Sequence, residues 1–159
     1  MATVSADLHA ILAEYRAGLD AELALLRQLD ALSVRNREAV ASGDLGVMRG
    51  VHAARDAVMT GLVNVEHDLV PLRAALIEHR ELLKNTREFQ AVAALHAEAA
   101  EMVNRIIASD RESMTALEEA ELARRSAALA MERGETTLQA YRRVIAPAST
   151  NAALVNRRG

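Results

Sequence analysis

The sequence predicts an all-α protein: an elongated antiparallel bundle of three to four long helices followed by a short C-terminal amphipathic segment. Three observations carry that prediction. Apolar residues return in steps of three and four along most of the 159 residues, Pro71 and Pro147 fall outside the strongest of these patterns, and the composition is alanine-rich with only 2% aromatic residues. Such a chain makes helices that pack closely on small side chains. A hydrophobic content of 51% supports one core, so the expected organisation is a single bundle domain over 1–146 and a flexible tail over 147–159.

The first helix is expected from Ser5, whose hydroxyl can cap it, with Asp7 placed favourably in the first turn. Leu8, Leu12, Tyr15, Leu19, Leu26, Leu29 and Val40 then form a coiled-coil-like seam, widened by Leu25 and Leu32. Ser33 and Asn36 occupy seam positions, where they either fix register and admit water or face solvent near a helix end. Ser42-Gly43-Asp44 ends the helix: Gly43 suits the left-handed position after it, and Asp44 can accept from the first amides of the next.

The second helix begins near Leu45 and carries Val47, Met48, Val51, Val58, Met59, Leu62 and Val65. Gly46, Gly50 and Gly61 each cost it ~1 kcal/mol relative to alanine unless another helix backbone approaches closely. Pro71, with Asp68 as a cap, predicts a kink or short restart. Leu69, Leu72, Leu76, Ile77 and Leu83 continue the apolar face to a turn at Lys84 to Thr86, where Asn85 and Glu88 have the spacing of a capping box.

From Thr86 to Ala146 no proline interrupts the chain, and one helix of that length would reach ~90 Å, so it must break or project. Ser109, Asp110 and Glu112 read as a solvated interruption in a continuous helix. Met114 and Leu117 share a face with Leu122 and Leu129, whereas Met131, Leu138, Tyr141 and Ile145 fall on roughly the opposite side, with Gly134 at the change. The reading is a long helix ending near Gly134 and a short amphipathic segment after it, which Pro147 stops. Its face either docks elsewhere or packs back onto the bundle. Met102, Met114 and Met131 would make an apolar surface adaptable or would fill the core.

The usual chemistries have no residues to run on. None of His9, His52, His67, His79 and His96 follows a glutamate by three positions, and no two histidines lie three or four apart, so neither a di-iron nor a helical zinc site is expected. Phosphate loops and nucleophile elbows are absent, and Glu118, Glu119 and Glu121 read as a solvated face. No enzyme, metal or cofactor is expected. A net charge of −3, a pI near 6.0 and three scattered aromatic rings argue against nucleic acid. The absence of cysteine, of a basic leader and of an apolar run near the ~20 residues that span a bilayer predicts a cytoplasmic protein without stable membrane insertion. Arg142-Arg143 beside Tyr141 are surface charge or a contact for an acidic partner.

With the helices placed, Ala41-Ser-Gly-Asp-Leu45, Arg55-Asp-Ala-Val-Met59, Leu62 and Leu95-His-Ala-Glu-Ala-Ala-Glu-Met-Val-Asn104 with Ile106-Ile107 and Leu117 resemble the flagellar type III export chaperones of the FlgN class. The likeness is spread over roughly residues 8 to 120. It implies a cytoplasmic chaperone that binds the amphipathic C-terminal helices of hook–filament junction proteins and delivers them to the export gate. Met114, Leu117, Leu122 and Leu129 would then bind the client. Family members carry a tyrosine near the C-terminal end that docks on the gate's cytoplasmic domain; Tyr141 would take that part, with Leu138 and Ile145. Here Tyr141 precedes Arg142-Arg143 instead of a glycine, and a Tyr-bearing C-terminal helix is also similar to the FliT chaperones, which leaves the client open. The oligomeric state is left open, with a homodimer among the options. The competing expectation is a phasin-like granule coat or coiled-coil scaffold on lipid surfaces, without a specific client.

Overall fold

The structure, a computed structural model, describes the backbone of residues 2–155 and the side chains of residues 6–143. It is an all-α helical bundle with no strand among the described residues. Three long helices, α1 (Ala2–Ser42), α2 (Leu45–Glu78) and α4 (Arg87–Val155), are joined by short turns, with a single turn of helix, α3 (Arg80–Leu83), before the last. By contact the chain divides after Ala116 into two compact units, and α4 runs through both.

The first turn forms for the reasons its sequence suggests. Gly43 adopts φ +71°, its amide donates to Val40 O, and the Asp44 amide donates to Ala39 O at 2.9 Å. Asp44 then caps α2, its carboxylate accepting from the Val47 amide at 3.0 Å. The helix boundary expected at Gly43 is therefore met on both sides.

Other boundaries differ. Helix α1 is already formed at Ala2, because neither proline nor glycine precedes Ser5 to stop it; Ser5 lies inside the helix and its side chain is outside the described residues. Helix α2 runs through Pro71 and ends at His79 instead. The missing proline amide removes one hydrogen bond, and the burial of Leu69 and Leu76 on either side outweighs it. The cap of α4 is Thr86, not Asn85: its hydroxyl donates to Leu83 O and accepts from the Phe89 amide. Helix α4 also continues through Gly134 and Pro147, where the sequence predicted its ends. A glycine costs a helix only ~1 kcal/mol, which weakens it without terminating it.

Within the first unit, pairs across α1 and α2 run in opposite order, Tyr15 with Arg73 and Ser33 with Arg55, so these helices are antiparallel. Pairs across α1 and α4 rise together, Asp30 with Arg105, Ser33 with Asp110 and Arg37 with Glu112, so α4 returns parallel to α1. The result is an up-down-up bundle. Its core has two apolar clusters. One gathers Leu8, Leu12, Tyr15, Leu19, Leu69, Leu76 and Val92, and the other Leu23, Leu26, Leu29, Val58, Met102 and Ile106. Each such side chain contributes ~1.5–3 kcal/mol on burial. Gly18 lets Leu69 close on the α1 backbone, and of the α2 glycines Gly61 is approached from α1, by Leu25, whereas Gly50 meets nothing within 4 Å.

Ser33 and Asn36 are buried at 0% and 7% exposure, which decides against solvent-facing positions near a helix end. Asp110, read as a solvated interruption, reaches across the bundle. Arg55 donates to both its carboxylate oxygens, at 3.0 and 2.6 Å, and Ser33 donates to it while accepting from Arg55. Two nearby buried oxygens, Asn36 Oδ1 and Ser109 Oγ, find no hydrogen-bond partner among the described residues.

Candidate functional site

Met114, Leu117, Leu122 and Leu129, with Leu138 and Tyr141, all lie on α4 and are between 42% and 66% exposed. From Leu122 to Arg143 every residue is exposed. Ile145 lies on the same helix, but its side chain falls outside the described residues. Because α4 is continuous at Gly134, the two apolar stripes are not faces of two helices. At ~100° per residue they are opposite sides of one helix, Leu122 and Leu129 on one and Met131, Leu138 and Tyr141 on the other. The methionines divide likewise: Met102 is core, whereas Met114 and Met131 stand in water.

Several polar residues of this stretch bond within the helix itself. Glu121 accepts from Arg124 and Arg125, each at 2.9 Å, and those hydrogen bonds pull its pKa down to about 2. Thr136 and Thr137 donate to the carbonyls one turn back, at Glu132 and Arg133. These contacts occupy Glu121, Arg124 and Arg125 within the helix, while the leucines, Met131 and Tyr141 stay exposed beside them.

A second constellation lies in the bundle and was not picked out from the sequence. The Tyr15 hydroxyl, on a ring that is 2% exposed, sits 2.7 Å from His96 Nε2 and accepts from Arg73 Nε at 3.1 Å. Arg73 in turn forks onto Glu66, at 2.7 and 2.8 Å. That fork holds the Glu66 carboxyl below its ordinary range, while burial, reinforced by the charge of Glu66, pushes Glu22 up. Above Tyr15 opens a groove of about 410 Å³ between α2 and α4, walled by Leu76, Ile77, Phe89 and Val92. A tyrosine on an otherwise leucine seam was the available signal; the histidine opposite it is distant in sequence, and no spacing within α1 could have announced it.

Among the described residues no group of three or more His, Asp or Glu is placed to hold a metal ion, and no helix is long and apolar enough to cross a membrane. No protein-family model, no curated protein and no solved structure matches the chain.

Proposed function

We propose that this chain is a cytoplasmic export chaperone that binds an amphipathic helix of its client, with the C-terminal helices of flagellar junction proteins as the client class and the cytoplasmic domain of the export gate as the second partner. One observation carries the reading: Leu117, Leu122, Leu129, Met131, Leu138 and Tyr141 are held in water on a regular helix. Exposed apolar side chains repeated at helical spacing are what a partner helix covers, anchored at every third or fourth residue. Two sides of α4 allow two partners. Leu122 and Leu129 would take the client, and Leu138 and Tyr141, beside Arg142-Arg143, an acidic surface of the gate.

Titrating the wild-type chain and Tyr141→Ala separately against a junction-protein C-terminal helix and against the gate domain tests this. The substitution should leave client affinity within about threefold and weaken gate docking by ~1–3 kcal/mol, the range for an aromatic anchor. Equal losses for both partners would remove the assignment of Tyr141. Absence of client binding together with tight partition onto lipid-coated apolar particles would replace the chaperone reading with that of a surface coat.

A further inference from the structure

We infer that the groove over Tyr15 is a binding site for a single-chain amphiphile with a carboxylate head, of the medium-chain fatty-acid class. The site lies wholly within the first unit and does not depend on the proposed chaperone role. Its walls are apolar: Leu76 and Ile77 from α2 face Phe89 and Val92 from α4, and Ile77 is 67% exposed. A volume of about 410 Å³ is at the small end of the ~300–1,000 Å³ range of small-molecule sites, enough for one chain and not for a two-chain lipid.

The head group follows from the charges at the groove. Arg73, Arg80 and His96 line it, and no carboxylate does. Arg73 is committed to Glu66 and Tyr15, and His96 Nε2 lies against the Tyr15 hydroxyl. Arg80 alone is uncommitted: its guanidinium has no hydrogen-bond or ion-pair partner among the described residues. A single free guanidinium beside an apolar trough complements one monoanionic head on one apolar tail. A dianionic phosphate monoester would ask for a second free cation, and the groove offers none.

Phe89 is the only phenylalanine of the chain, and Tyr15 and Tyr141 are its only tyrosines. Fluorine labelling of both residue types therefore gives one probe in the wall, one in the floor and one on the exposed helix. Titrating the full chain with decanoate below its self-association concentration should shift the Phe89 and Tyr15 resonances saturably and leave Tyr141 unmoved. Decyltrimethylammonium, with the same tail and the opposite charge, should bind at least about tenfold more weakly, and Arg80→Glu should weaken decanoate about tenfold while Arg80→Lys retains it. Arg80 is exposed and unpaired, so both variants should keep the wild-type melting temperature. Equal affinity for the two heads, or a response at Tyr141 without one at Phe89, would overturn the site. Displacement of decanoate by a tighter-binding acidic helical peptide would overturn the ligand class and give the groove to a protein partner.

Discussion

Arg55 on α2 grips Asp110 on α4 through both carboxylate oxygens, and the Ser33 hydroxyl of α1 closes the contact by accepting from one and donating to the other. One side chain from each long helix therefore meets at a single node. Breaking one partner leaves the other half-buried and unpaired, whereas replacing both removes the penalty. Arg55→Ala should cost ~1–3 kcal/mol in urea unfolding, a range that already allows for the partial exposure of Asp110. The double variant Arg55→Met with Asp110→Leu should recover most of it. A single variant as stable as wild type would show that the node contributes nothing.

Gly18 and Gly50 are both helical glycines, yet they should respond oppositely to alanine. A methyl at Gly18 would fall well inside van der Waals contact distance of Leu69 Cδ2, in a core where Leu69 is 1% exposed; one at Gly50 meets nothing within 4 Å. Overpacking costs ~1–3 kcal/mol and exceeds the gain in helix propensity. Gly18→Ala should therefore lower the melting temperature. Gly50→Ala should raise it, by up to ~1 kcal/mol of stability.

Burial, with the neighbouring Glu66, raises the pKa of Glu22 in the folded state, so the folded chain holds that proton more tightly than the unfolded chain does. Ionised Glu22 costs stability at neutral pH. The cost falls away as pH drops through the folded pKa, and it is gone below the unfolded one. Glu22→Gln should melt higher than wild type at pH 7, with the two curves converging as the pH is lowered past the ordinary glutamate range. A difference that is the same at pH 7 and pH 3 would mean that ionisation has no part in it.

Leu122→Asp combined with Leu129→Asp should leave circular dichroism and melting within ~0.5 kcal/mol of wild type, since both leucines are exposed. Client binding should fall, because an aspartate buried unpaired in a helix–helix interface is costly. Loss of helicity in the double variant would place these leucines in a packed surface of the chain itself.

Periodicity made much of this fold legible. The leucine seam of α1, the turn at Gly43 and the exposed leucines of α4 each follow from the spacing or backbone demand of a few residues close in sequence. What spacing could not give is the identity of the residue across the bundle. Asp110 reads as a solvated break until Arg55 is placed opposite it, and Tyr15 reads as core until His96 and Arg73 reach its hydroxyl. Helix ends misled for a related reason. Gly134 and Pro71 weaken a helix locally, but whether it ends there depends on what the neighbouring turns bury or hydrogen-bond, as Leu69 and Leu76 do around Pro71.

The two ends of the three-helix bundle are made of different material. Toward Leu83 the helices close on Tyr15, Leu19, Leu76 and Val92, whereas on the approach to Gly43 the inward positions include Ser33, Asn36, Ser109 and Ser113. Amide groups at that polar end should therefore exchange with solvent faster than those around Tyr15, which native-state hydrogen exchange would read.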